Sequence, residues 1–152
     1  MKRVWIYQSN RLLSAEEVEQ ISQILQEFVV QWTAHGNQLA GSFLIKYNLF
    51  VILQVDEGKA MVTGCSIDKS VHLLKKIEER LDVSLFDRMQ IAYRRSEDEI
   101  VVAGRDRFEQ LIAAGEVDRD TIVFNNMVGT AQDFADNWEV PLKDSWHAKV
   151  FL

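Results

Sequence analysis

The chain has 152 residues, of which 47% are apolar and 26% charged, with a formal net charge of −6 and a single cysteine. These figures exclude a disordered chain and an internal disulfide framework, and the length suits one domain. No apolar run approaches the roughly 20 residues needed to span a bilayer.

The first ten residues include Val4, Trp5 and Ile6 but lack the basic-then-apolar form of a secretion signal. A cytoplasmic chain with no membrane partner is therefore expected. Charge is uneven. Residues 1–76 hold 8 basic and 7 acidic side chains, and residues 77–152 hold 9 and 16. The longest basic runs are the doublets Lys2-Arg3, Lys75-Lys76 and Arg94-Arg95. Nucleic-acid binders display a longer basic stripe, so no nucleic-acid partner is expected.

Val4 to Gln8 has strand character, with two aromatics. Ser14 with Glu17 forms a capping-box pattern. Behind it Val18, Ile21, Leu25, Phe28 and Trp32 recur at helical spacing, and Gly36 suits the helix end. Leu39–Tyr47 and Leu49–Asp56 read as paired strands about Asn48. The second is almost continuously apolar and so is expected at the centre of its sheet. Ala60–Gly64 reads as a further strand, entering a helix whose face is Val71, Leu74, Ile77 and Leu81 and which ends near Asp82.

Gln90–Arg95 and Ile100–Ala103 suggest a hairpin, Arg105–Ala114 a short helix, Thr121–Phe124 a strand, and Thr130 a helix start. The aromatics Trp146 and Phe151 suggest a docked tail. The order β-α-β-β-β-α-β-β-α predicts a single α+β domain over residues 1–152. Its sheet is largely antiparallel or mixed, with helices packed on one face.

Gly64-Cys65-Ser66-Ile67-Asp68-Lys69-Ser70 gathers the lone cysteine and several polar groups at a strand-to-helix turn. Free amides at a helix start stabilise a thiolate or a small anion. Ser66 and Asp68 are also good caps, and Gly64 allows close backbone approach. The candidate ligand-binding residues are thus Gly64, Ser66, Asp68 and Ser70. Cys65 is a candidate nucleophile, with His35 as its base. The opposing reading makes Cys65 a small buried hydrophobe at the end of the 60–64 strand, slow to react until the chain unfolds.

His35, His72 and His147 lack metal-ligand spacing, so no metal site and no cofactor are expected. No phosphate loop, dinucleotide fingerprint, zinc-protease motif or nucleophile elbow occurs. Asn125-Asn126, after the Thr121 strand, is a polar doublet suited to binding or turning.

Trp5-Ile6-Tyr7-Gln8-Ser9-Asn10-Arg11, Gln31-Trp32-Thr33-Ala34-His35-Gly36, Gly64-Cys65-Ser66-Ile67-Asp68, Leu85-Phe86-Asp87-Arg88, Val123-Phe124-Asn125-Asn126, Trp138-Glu139-Val140-Pro141 and Ser145-Trp146 occur in this order. In these blocks the chain resembles a family of small proteins of Bacteroidetes-type bacteria, marked by the Gly-Cys-Ser-Ile-Asp motif. Some members carry the label of ABC-transporter ATPase, which the missing phosphate loop does not support. The resemblance implies no established activity and carries over no catalytic residue. The expected function is a non-catalytic domain that binds a small ligand or a protein. The alternatives are a thiol-dependent enzyme using Cys65 and anion binding at residues 64–70.

Overall fold

The computed structural model describes residues 1–152. The chain runs β1 (Lys2–Gln8), α1 (Ala15–Gln31), β2 (Thr33–Ala34), β3 (Asn37–Gln38), β4 (Ala40–Lys46), β5 (Phe50–Asp56) and α2 (Gly64–Leu81). It continues through β6 (Gln90–Ser96), β7 (Glu99–Gly104), α3 (Arg105–Ala113), β8 (Ile122–Phe124), α4 (Ala131–Asn137) and β9 (Glu139–Pro141). A single 3-10 turn (Leu142–Asp144) and α5 (Ala148–Phe151) close the chain.

The fold is α+β, and every strand pairing is antiparallel. The expected single sheet is divided. One sheet has the order β1-β5-β4, another β7-β6-β8-β9, and β2-β3 is a separate ribbon.

β5 is central, as its apolar run predicts, because it is buried on both sides. Val51, Leu53 and Val55 pack with Ile21, Leu25 and Trp32 of the α1 segment and Leu74 and Ile77 of α2. Phe50 and Ile52 face the other way, packing with Val4, Ala92, Phe124 and Trp138. The second sheet turns Ile91, Tyr93 and Val123 outward onto Phe108 and Leu111 of α3 and Leu142. The layers are therefore helices, three-stranded sheet, four-stranded sheet and helix.

Ser14 caps α1 in a reciprocal box with Glu17. Arg11, by its hydrogen bond, and the Ser14 amide together pull the Glu17 carboxyl down to about 2. The helix stops at Gln31, earlier than Gly36 suggested. Trp32 is extended (φ −73°, ψ 122°) and drives its indole into the core, where Nε1 donates to the Ser66 carbonyl at 2.8 Å. His35 (φ 51°) and Gly36 (φ 79°) instead form the tip of the β2-β3 ribbon. Two consecutive positive φ values match the tight turn of such hairpins.

Gly41 of β4 leaves room for this tryptophan: a Cβ there would lie 3.0 Å from Trp32 Cε3.

The β4-β5 tip ties the two sheets together. Tyr47 (φ 58°) and Asn48 (φ 53°) both take the left-handed region. The Tyr47 ring stacks on Trp138 at 5.9 Å, and its hydroxyl donates to Glu139 Oε2 at 2.9 Å. Arg94 Nε donates to the other oxygen, Oε1, at 2.7 Å. Burial alone would raise the Glu139 pKa, but the bonds from Arg94 and Tyr47 outweigh it and leave the carboxyl below its ordinary value.

The tail docks as its aromatics suggest. Phe151 meets Phe108 edge-on at 4.9 Å, and Leu142 is fully buried.

Candidate functional site

Residues 60–63 are not a strand: the chain leaves β5 through a turn and reaches α2 without pairing. The Asp56 carboxylate accepts from the Gly58 amide (3.0 Å), and Glu57 Oε2 accepts from the Val62 amide (3.0 Å). These local bonds occupy the backbone that a ladder would have used.

Thr63 is the N-cap, in a reciprocal box with Ser66. Gly64 and Cys65 therefore lie inside the first turn of α2, and neither Ser66, which is the third helical residue of the box, nor Asp68 is the N-cap. Ser66 is buried, accepting from the Thr63 amide and donating to its carbonyl. Ser70 is buried and donates to the Ile67 carbonyl at 2.6 Å. Gly64, Cys65 and Asp68 are exposed. The five residues thus divide between an inner and an outer side of the helix.

Cys65 is exposed, which overturns the expectation that it ends a buried strand. His35 is also exposed, and neither residue lines any of the four main recesses. Alkylation of Cys65 is expected to reach completion in the native protein without unfolding. Cys65→Ser should change stability by no more than about 0.5 kcal/mol, as for an exposed position. Labelling that waits for urea, followed by mass spectrometry, would contradict this placement.

Polar groups converge elsewhere. A recess of about 100 Å³ opens between β1, the 85–90 loop, the turn after β8 and the tail, with Gln8, Phe86, Arg88, Asn126 and His147 in its walls. Gln8 follows Val4 and Ile6 along the inner side of β1 and is 7% exposed. Its Nε2 donates to the Gln90 carbonyl (2.7 Å), and its Oε1 accepts from Asn126 Nδ2 (3.0 Å). Asn126 Oδ1 accepts in turn from Trp138 Nε1 (2.9 Å). This chain of bonds ties β1, β6, the β8 turn and the end of α4 to one another.

His147 is 3% exposed, and its ring stacks on Trp146 at 3.9 Å. Nδ1 lies 3.1 Å from Ser145 Oγ. That hydroxyl has one proton, and its 2.9 Å contact with the Leu142 carbonyl requires it there. Ser145 therefore accepts from His147, Nδ1 carries the ring proton, and Nε2 presents a lone pair. Burial lowers the imidazole pKa to about 4, so the ring is neutral at pH 7.

Nε2 has no hydrogen-bond partner in the protein. Trp146 Nε1 is the one fully enclosed side-chain nitrogen or oxygen left unpaired. Nε2 must therefore keep contact with the recess that its ring lines. Arg88 and Asp87 stand at the rim. Arg88 Nη1 donates to the Met127 thioether, and the Asp87 carboxylate accepts from the Met89 amide (2.9 Å) and more loosely from Gln90 Nε2 (3.5 Å). Burial also raises the Tyr7 phenol above its ordinary pKa, with the Ser70 hydroxyl opposing.

None of the expected site residues lines this recess. Asn126 was visible as half of a polar doublet. Gln8 had a detectable signal, a polar side chain on the inner side of an apolar strand. His147 had none, because its burial depends on how the tail docks. No family model, curated protein or solved structure matches the chain.

Proposed function

We propose that the protein is a non-catalytic binding domain. Its ligand places an N–H or O–H donor against Nε2 of His147 in the recess beside β1. The observation that carries this reading is the unpaired lone pair of Nε2 on His147, a residue only 3% exposed whose ring lines the recess. The neighbouring amides of buried Gln8 and half-buried Asn126 are satisfied by one another and by Gln90 and Trp138. Nε2 is not enclosed, so its lone pair can be reached from the recess and taken by a ligand donor.

The chemistry favours recognition over turnover. No serine, threonine, cysteine or lysine lines the recess. A base titrating near 4 is poorly matched to proton transfer at neutral pH. A lone exposed thiol fits a reducing, cytoplasmic setting.

The test is a set of small alcohols, amines and primary amides, followed by amide and side-chain NMR shifts. Binders are expected to move Gln8, Gln90, Asn126 and His147 together. His147→Phe should keep the fold and weaken binding by about tenfold or more, the loss of one buried hydrogen bond. Shifts confined to other surfaces, or affinity unchanged in His147→Phe, would overturn the reading.

A further inference from the structure

We infer that the outer edge of β4 pairs with the same edge of a second copy of this chain, antiparallel about a two-fold axis at Phe43, which joins two three-stranded sheets into one of six strands. The inference is independent of the recess.

The register shows which backbone groups are free. β1 and β4 are the terminal strands of their sheet. The outer edge of β1 is closed by the chain itself, since the Val4 amide donates to the Gly129 carbonyl (3.0 Å) and the Asn10 amide to the Ser84 carbonyl (3.1 Å). Val4 thus turns its backbone outward, and the odd residues of β1 bond to β5. Arg3 pairs with Val55, and Ser42 pairs with Gln54. Odd residues of β5 therefore serve β1, even ones serve β4, and Ala40, Ser42, Leu44 and Lys46 bond inward. The N–H and C=O groups of Gly41, Phe43 and Ile45 point outward, and no backbone group of the molecule bonds to them. The β4 edge is open from end to end.

It also lacks the guards of an edge strand. β4 has no proline, no bulge against β5, and a single charge, Lys46, at its end. Leu44 is exposed on one face of the edge. On the other face exposed Val30 borders a groove between α1 and β4, whose nine lining residues include no charge. A second copy therefore brings no like charge against this groove.

The strand complements itself, and this selects the occupant. Phe43 is the midpoint of Ala40–Lys46 and one of the outward-bonding residues. Centred there, Phe43 meets Phe43, Gly41 meets Ile45, Ser42 meets Leu44 and Ala40 meets Lys46. Every residue of β4 then has a partner, and each outward residue exchanges both of its backbone bonds. The bulky Ile45 lies against the position without a side chain. The sole charge meets Ala40 rather than its own kind, and beyond Ala40 in the same cross-strand row stands Asp56, of opposite sign. Such an isologous pair closes on itself and leaves no open β4 edge.

The test is sedimentation of the full chain over a dilution series, with hydrogen exchange of the β4 amides. The native protein is expected to pass from one chain to two between about 1 and 300 μM, at the weak end for a specific interface. Amides of Gly41, Phe43 and Ile45 should exchange about tenfold or more slowly in the dimer, while those of Ser42 and Leu44, bonded to β5, stay slow in both states. Two double variants at exposed positions fix the register. Ser42→Glu with Leu44→Glu sets Glu opposite Glu in both symmetric pairs and should weaken association about tenfold or more. Ser42→Lys with Leu44→Glu sets Lys opposite Glu at the same sites and should return it to within about threefold of native. A chain that stays monomeric at the highest concentration, whatever other strand it accepts on this edge, would overturn the inference. So would assembly beyond two chains, or two double variants that behave alike.

Discussion

Trp32→Ala is expected to remove about 3–5 kcal/mol of stability, the range for emptying a buried aromatic site. Folded domains of this kind hold about 5–15 kcal/mol in all, so the urea midpoint should fall steeply. Trp32 is 1% exposed and touches Phe28 and Trp5, at ring distances of 4.9 and 6.1 Å. Its indole N–H also holds the first turn of α2 through the Ser66 carbonyl. Two effects are therefore combined, a cavity and a lost hydrogen bond. Trp32→Phe separates them: most of the volume stays while the Ser66 carbonyl loses its donor, a cost of about 1–3 kcal/mol. A Trp32→Phe midpoint equal to that of the native protein would show that the bond adds nothing.

Acid should weaken the protein through His147 before the depressed carboxyls of Glu17 and Glu139 are reached. The folded pKa of His147 is about 4 against an ordinary value of 6.5. Between those values the unfolded chain takes up a proton and the folded protein does not, so stability falls as pH drops through that window. The full shift corresponds to about 3 kcal/mol. Most of it should be lost between pH 7 and 4.5. Glu17 and Glu139, whose folded pKa values are depressed, act lower: their contribution is present above about 4.5 and lost as pH falls further. His147→Phe has no proton to take up there. Its unfolding free energy is expected to be nearly flat from pH 7 to 4.5 while that of the native protein declines. Parallel curves for the two proteins would refute the assignment.

Local patterns were legible where one element decided its own form. The Ser14–Glu17 box starts α1, the continuous apolar run marks β5 as central, and Asp82 ends α2 in a left-handed cap. The misreadings share a cause, which is that tertiary contacts chose among local options. Gly36 suits a helix end or a ribbon tip equally well, and the inward pull on Trp32 selected the tip. The 60–63 segment has strand composition, but its Val62 and Thr63 amides are claimed by Glu57 and Ser66. The groups of the cysteine turn are adjacent in sequence, yet adjacency on a helix divides them between two sides. The recess residues come singly from β1, a loop, a turn and the tail, so no local spacing announces them.

The β4-β5 hairpin closes over three residues, two of them, Tyr47 and Asn48, with left-handed backbone, and β6 and β7 are likewise joined locally. β1 has no such help, because Gln8 must find Phe50 across the whole of α1, the β2-β3 ribbon and β4. Loop-closure entropy makes this the most expensive pairing in its sheet, and long-range closures of this kind slow folding. The strand that borders the recess is thus also the one whose attachment costs the most chain entropy. A ligand bridging β1 to Arg88 and Asn126 would be bound by the docked strand alone. By mass action its binding is coupled to keeping the amino terminus in place.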